Sequence, residues 1–288
     1  MNALDDSTVG TVTLGDLEVR RLGFGAMTIS GARTPDGVRD RETARALVRE
    51  VVDRGVNLID TADIYGYGES EEIIAEALHP YPDGVVIATK AGYRPGKVLP
   101  GHMSLPAEGD PDHIRRQCDL SLQRLKVDVI DLYQVHTPDT RVPWADTLGA
   151  FVELQQQGKV RHIGLSNVQP FQLQIAQEMC EIVSVQNRYN AGERGSDAVL
   201  EMCTEQNIAF IPFSPTRVAN EKAIAAVNDI AAAHNAIPQQ VSLSWLLRRS
   251  PMMVPIPGTS KVAHADENID AAWVELTSEE LGRLDEAF

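Results

Sequence analysis

Four side chains decide what chemistry this chain can do. Asp60, Tyr65, Lys90 and His136 each stand at or just past the end of an apolar run. A phenol has a reference pKa of about 10 and is a poor acid at neutral pH. An ammonium beside it favours the phenolate and lowers that pKa. A buried carboxylate keeps the ammonium charged and oriented, and an imidazole on the far side can orient a carbonyl oxygen. Together the four form a proton-donating site for a developing alkoxide, which is what hydride addition to a carbonyl requires.

Bringing residues this far apart to one place calls for a repeating scaffold. Short β-branched runs at 21–26, 58–60, 85–89, 129–135, 162–164, 184–186, 209–212 and 253–256 read as strands. Amphipathic stretches at 43–54, 70–78, 112–125, 145–157, 170–178, 197–206, 221–234 and 239–248 read as helices between them, with further helices at 264–272 and 278–287. Segments 12–14 and 17–19, flanking Gly15-Asp16, predict a hairpin at the start. The rhythm predicts an α/β chain folded as a (β/α)₈ TIM barrel, with an N-terminal β-hairpin and extra C-terminal helices.

A doubly wound sheet would carry a glycine-rich turn after its first strand. The nearest run, Gly66-Tyr67-Gly68, lacks the third glycine and follows the phenol instead. In a barrel the C-terminal strand ends build the active site. Polar residues recur there: Asp60, Lys90, Gln134 and His136, Ser166-Asn167, Gln186-Asn187, and Phe213-Ser214-Pro215. The Gly- and Pro-rich loop 91–111 is long enough to shape such a site.

The 288 residues read as one domain spanning 1–288, preceded by a flexible tail over the first ~8 residues. Hydrophobic residues make up 43%, enough for a large core, and the net charge of −15 repels phosphate backbones, which excludes nucleic acid as a partner. Any anionic ligand must be held by a local cluster of donors. Cys118, Cys180 and Cys203 lie far apart without metal-ligand spacing and read as buried free thiols of a reducing cytoplasm. The acidic, polar start is no secretory signal, and no apolar run approaches the ~20 residues of a membrane span.

Asp60, Lys90 and His136 each have a bland reading as a cap, a surface lysine and a structural histidine. The spacing of Tyr65 after Asp60, and of Lys90 after an apolar strand, favours chemistry. Asp63 reads as a helix cap. Tyr67 is the rival acid to Tyr65. Met27, Tyr93, Trp144 and Arg217 are candidates for the substrate wall; His102 and His162 carry no role.

The chain resembles the aldo-keto reductase family. The resemblance lies in LGFGAM at 22–27, NLIDTADIYG at 57–66, IATK at 87–90 and LSLQRLKVDVIDLYQVH at 120–136. It continues in GKVRHIGLSN at 158–167 and the segment from PIPG at 255–258 to Asn268. It covers nearly the whole chain. It implies a catalytic tetrad of Asp60, Tyr65, Lys90 and His136. It also implies an NADP(H) cofactor, preferred over NADH, lying extended across the barrel mouth.

Ser166, Asn167 and Gln186 match the binders of the nicotinamide carboxamide. Phe213 matches an aromatic stacked on the nicotinamide ring, and Ser214, with Pro215 beside it, lies near the pyrophosphate. Gly25, Ala26 and Met27 line the cofactor at the first strand end. Gly258, Thr259, Ser260, Lys261 and His264 match the segment that holds the adenosine phosphate, and Glu267 and Asn268 match adenine binders. Gly258 stands where one common version of the pattern has Lys, and His264 where it has Arg.

The implied activity is reduction of a small or medium aldehyde or ketone, with Tyr65 as general acid. The last helix ends the chain without a long loop over the mouth, so the pocket is expected to be open on that side. A second reading, from non-enzymatic relatives of the same family, is a slow cofactor-sensing subunit. A third, a metal-dependent hydrolase, lacks ligands beyond Asp60 and His136.

Overall fold

The computed structural model describes residues 3–31, 40–96, 98–99, 102–103, 105–218 and 220–288. Strands β1 (Thr11–Leu14) and β2 (Leu17–Arg20) form the expected hairpin around Gly15-Asp16. Then come β3 (Phe24–Gly25), β4 (Leu58–Asp60), β5 (Val86–Ala91) and a small hairpin of β6 (Val98–Leu99) with β7 (His102–Met103). The strands end with β8 (Ile130–Val135), β9 (Val160–Ser166), β10 (Ile182–Gln186) and β11 (Ala209–Phe210). The helices are α1 (Asp6–Val9), α2 (Arg41–Asp53), α3 (Glu69–Leu78), α4 (Pro111–Leu125), α5 (Trp144–Gln156) and α6 (Pro170–Gln177). They continue as α7 (Asp197–Glu205), α8 (Glu221–Ala233), α9 (Pro238–Arg249), α10 (Val262–Asp270) and α11 (Ser278–Ala287). Among the described residues no helix is long and apolar enough to cross a membrane.

Strands β3, β4, β5, β8, β9, β10 and β11 pair in that order as one parallel sheet. The eighth strand expected at 253–256 is not a regular strand. An extended segment takes its place and closes the ring by single backbone bonds. On one side Phe210 N donates to Met252 O and Val254 N to Phe210 O, both at 2.8 Å; on the other, Gly23 N donates to Pro255 O at 3.0 Å and Gly25 N to Pro257 O at 3.2 Å. Pro255 and Pro257 have no N–H to give, so this side of the ladder runs on their carbonyls alone. The first strand is likewise shorter than the expected 21–26, because a 3₁₀ turn takes over at Ala26. Gly25 and Gly258 meet across this seam. A Cβ on Gly258 would lie 2.6 Å from Gly25 O, and one on Gly25 would lie 2.8 Å from Ile256 O.

Alternation along the strands separates two environments. Leu58, Val86, Ala88, Leu132, Ala209 and Val254 point into the barrel, where they pack on Val12, Leu14 and Val19 of the hairpin. The hairpin thus plugs the base. Asp16 at its tip binds Arg161 and His162, both at 2.6 Å, which gives His162 a structural part. Ile130, Tyr133, Val135, Ile163 and Leu165 point outward under the helices. The tail expected over the first residues is, from Leu4 on, part of the fold. Leu4 is buried, its N–H donates to Arg54 O at 2.8 Å, and Asp5 caps α1. Residues 1 and 2 lie outside the described residues.

Behind the mouth, α3 and α4 are tied to β5 by a second buried polar group. Glu71 is fully buried and accepts from Thr89 Oγ1 at 2.6 Å and from Arg124 Nε at 2.6 Å. Asp63, read as a helix cap, caps nothing: α3 begins after Gly68. Asp63 is buried beside this group, and its Oδ1 has no hydrogen-bond partner. Burial, with Glu71 close by, pushes its carboxyl up to about 8. The folded chain therefore keeps a proton on Asp63 that the unfolded chain releases near pH 4. That contribution to stability is whole below pH 4 and is lost as pH rises toward 8.

In denaturant titrations, wild-type stability should fall between pH 5 and 9 by more than that of Asp63→Asn. Parallel curves would count against a buried, protonated Asp63. At the seam, Gly258→Val should lower stability by roughly 1–3 kcal/mol through overpacking against the Gly25 backbone; an unchanged melting temperature would contradict the close approach.

Candidate active site

The tetrad converges at the C-terminal mouth. Lys90 lies wholly inside the barrel, with none of its surface exposed, and Asp60 is nearly as deep. The ammonium donates to Asp60 Oδ2 at 2.7 Å and to the Thr61 carbonyl at 2.7 Å, and it also hydrogen-bonds the Tyr65 hydroxyl. These three acceptors use all three of its protons. Burial works to strip the ammonium of its charge. Asp60 and the Tyr65 hydroxyl outweigh that and hold its pKa above the ordinary lysine value.

Asp60 is anchored on its other oxygen. Gln186 Nε2 donates to Asp60 Oδ1 at 2.7 Å and to Gln134 Oε1 at 3.2 Å, and Gln134 Nε2 donates to Ser184 Oγ at 3.2 Å. This polar layer crosses the barrel above its apolar filling. Gly164 makes the layer possible, since a Cβ there would lie 2.3 Å from Ser184 Oγ and 3.0 Å from Gln134 Cγ.

Tyr65 enters the mouth from a sharp turn. Gly66, Tyr67 and Gly68 all have positive φ, at 61°, 58° and 96°. Gly66 also presses on Ser30, leaving no room for a side chain. The turn aims Tyr65 at Lys90, whose Nζ lies 5.1 Å from the ring centroid. Tyr67, the rival acid, is exposed and does not line the mouth. The expectation that Lys90 lowers the Tyr65 pKa holds only in part. Burial pushes the phenol above its ordinary value, and Lys90 pulls it back without cancelling the rise. His136 is buried, its ring centroid 5.8 Å from that of Tyr65 at 81°. Burial, and then the charge of Lys90, hold it well below the ordinary histidine value, so it is neutral near pH 7.

A cavity of about 450 Å³ opens over these groups. Gly25, Met27, Ser166, Asn167, Gln186, Phe213, Ser214, Pro215 and Gly258, all assigned to the cofactor from the sequence, line it together with Asp60, Tyr65 and His136. Ala26 does not; it is fully buried, and its carbonyl accepts from Ser70. Thr259, Ser260, Lys261, His264, Glu267 and Asn268 lie beyond the cavity on the approach to α10 and along it. Lys261 and His264 are exposed at its first turn, and the Glu267 carbonyl accepts from Gln240. Tyr93 and Met27 line the cavity as wall candidates. Trp144 does not: its Nε1 donates to Gln172 O at 3.1 Å, far from the mouth lining.

Some cavity residues carried no role from sequence: Thr28, Leu105, Arg188, Thr216 and Ile256. The Arg188 guanidinium lies 5.5 Å from the Phe213 ring centroid. Gln134, one of the polar strand-end residues, lies outside the cavity lining and serves in the polar layer beneath it. A hollow of about 350 Å³ at the hairpin end, lined by Thr13, Gly15 and Cys180 among others, is remote from the tetrad. Among the described residues no three His, Cys, Asp or Glu side chains are arranged to hold a metal ion.

Comparison with known proteins agrees with this geometry. Residues 21–288 match the model of the aldo/keto reductase family. A pyridoxine 4-dehydrogenase of Escherichia coli is 41% identical over 281 residues, 96% of this chain and 97% of the relative. An uncharacterized oxidoreductase of Schizosaccharomyces pombe is 40% identical over 286 residues, 99% and 92% of the two chains. The solved structure of an aldo/keto reductase from Klebsiella pneumoniae, in complex with NADP and acetate, superposes with a TM-score of 0.79 at 26% identity, covering 96% of this chain and 94% of that one. The chain belongs to the aldo/keto reductase family of oxidoreductases, whose (β/α)₈ barrel it shares.

Proposed function

We propose that this protein reduces the carbonyl of a small or medium aldehyde or ketone to an alcohol with NADPH, Tyr65 serving as general acid. The observation that carries this reading is the Lys90 ammonium, buried and spent on Asp60, Thr61 O and the Tyr65 hydroxyl. Such a charge is costly unless it is used. Here it faces the phenol from which a proton must leave.

The mouth suits a nicotinamide carboxamide, which offers two N–H donors and one carbonyl acceptor. Asn167 Nδ2 is spent on His136 O at 3.0 Å and Ser166 Oγ at 3.1 Å, and Gln186 Nε2 on Asp60 and Gln134. That leaves the two amide oxygens as acceptors and the Ser166 hydroxyl as donor, the complement of a primary amide. Phe213 offers a stacking face. Lys261, His264 and the N-terminal amides of α10 suit a phosphate. Gly258 cannot be lysine here without displacing Gly25, so the positive charge falls to Lys261, with His264 as a further donor. The NADP complex of the Klebsiella pneumoniae relative supports NADPH.

When bound, NADPH supplies a hydride for the carbonyl carbon. The carbonyl oxygen sits between Tyr65 and His136. His136 is neutral, and its Nδ1 has no partner, so its proton is better placed on Nε2, where it can donate to that oxygen. Tyr65 gives its proton to the developing alkoxide. A phenol with a raised pKa still does this downhill, because an alkoxide is far more basic than a phenolate. Lys90 remains charged throughout and stabilises the phenolate left behind. Met27, Tyr93 and Leu105 give the substrate side an apolar, partly aromatic wall. The 41% identical pyridoxine 4-dehydrogenase supports including aromatic and pyridine aldehydes among the substrates.

Tyr65→Phe should lose roughly 10²- to 10⁴-fold in kcat with pyridine or benzene aldehydes while binding NADPH as before. Normal turnover by that variant would end the assignment. Because the acid must be protonated, the reductive rate should hold through neutral pH and fall only above the ordinary tyrosine range of about 10; a fall already near pH 7 would point to another acid. Lys261→Ala should weaken NADPH binding roughly tenfold or more and leave NADH binding nearly unchanged, measured by nucleotide fluorescence titration. Equal losses for both would move the phosphate contact elsewhere.

A further inference from the structure

We propose that Tyr93 is a positioning residue for His136, its ring doing the work that a hydrogen bond to the inner imidazole nitrogen would otherwise do. The inference rests on the catalytic reading of His136 given above. An imidazole that must orient a substrate is usually fixed by a hydrogen bond from its second nitrogen, which sets both tautomer and rotation. His136 has none. Its Nδ1 is buried and without a partner among the described residues. What lies against the ring is Tyr93, with centroids 4.6 Å apart and planes at 71°, nearer than Tyr65 at 5.8 Å.

Tyr93 is itself firmly held. It lies in a short two-stranded ribbon beside the mouth, in which residues 92–94 face 106–108. Tyr93 pairs with Ala107, Glu108 N donates to Gly92 O at 2.8 Å, and Arg94 N donates to Pro106 O at 3.0 Å. His113 Nε2 meets the Tyr93 carbonyl at 3.2 Å from α4. At the root of the ribbon Gly92 has φ 134° and presses on the His136 backbone, a Cβ there lying 3.3 Å from His136 N. The aromatic wall and the histidine backbone thus meet at Gly92.

The groups facing His136 are few. Lys90 on β5 is the charge that acts on it, with Asp60 of β4 behind that ammonium. The Tyr65 and Tyr93 phenols close the sides. Asn167, past β9, is neutral and binds the His136 carbonyl rather than its ring. Nothing in this set hydrogen-bonds Nδ1, so the Tyr93 ring, by excluding water, helps the Lys90 charge keep the imidazole neutral and holds it in one orientation.

The test reads the imidazole directly. In the intact protein with ¹⁵N-labelled histidine, His136 of the wild type and of Tyr93→Phe should show no titration between pH 5 and 8. Tyr93→Ala, or Tyr93→Leu if the alanine variant folds poorly, should bring its titration into that range. The same ring-less variants should lose roughly tenfold or more in kcat with a smaller change in KM, and the phenylalanine variant should keep most of both. An unaltered His136 titration in the ring-less variants, or a phenylalanine variant as impaired as they are, would overturn the proposal. A wild type without NADPH-dependent turnover would instead sink the catalytic reading, and the NMR comparison would still decide what Tyr93 does to the ring.

Discussion

An ammonium with no water around it dictates the design of this barrel. Taking a lysine charge out of solvent costs several kcal/mol even after relaxation, unless every proton finds an acceptor and the charge finds a counter-ion. Lys90 meets both conditions, through Asp60, a backbone carbonyl and a phenol. Each then makes demands of its own. Asp60 needs a second donor, so Gln186 reaches it; Gln186 also needs Gln134; Gln134 needs Ser184 and the space left by Gly164. One buried charge at the strand ends thus specifies side chains on β4, β5, β8 and β10 and a glycine on β9.

The same burial sets the temper of the phenol. A phenol free in water beside an ammonium would become a stronger acid. Inside the barrel, desolvation wins, and Tyr65 keeps its proton more tightly than tyrosine in solution. That suits the general acid we propose, which must stay protonated until an alkoxide forms. The second buried group, around Glu71 and Arg124, stands one layer outward and fixes Thr89, the neighbour of Lys90. Its unsatisfied member, Asp63, sits two residues before Tyr65.

Much of this was legible in the residues. Strand and helix rhythm gave the barrel, and the polar strand ends gave the four side chains that converge, because both follow from alternation along individual segments. The closing segment was legible only as an apolar run: two prolines within it remove the donors of a regular ladder, leaving four backbone bonds to join the edges. The N-terminal residues looked like a tail because their composition is polar, yet Leu4 anchors them against the end of α2 and Asp6 pairs with Arg20. Asp63 looked like a cap because Asp in a strand-to-helix turn so often is one. The helix starts at Glu69, beside the expected 70, and three left-handed residues stand between it and Asp63, which is too far away to cap it. Arg188 and Leu105 carried no signal, since their place at the mouth depends on how loops pack and not on any local pattern.

The seam between the first and last strands has a meaning beyond closure. Two backbone bonds, both into proline carbonyls, hold it, and Gly25 and Gly258, which face each other across it, also line the mouth. A molecule lying there touches both lips of the join at once. Loading the mouth and keeping the cylinder shut become thermodynamically linked, so whatever occupies it acts as a clasp and is repaid in resistance to unfolding.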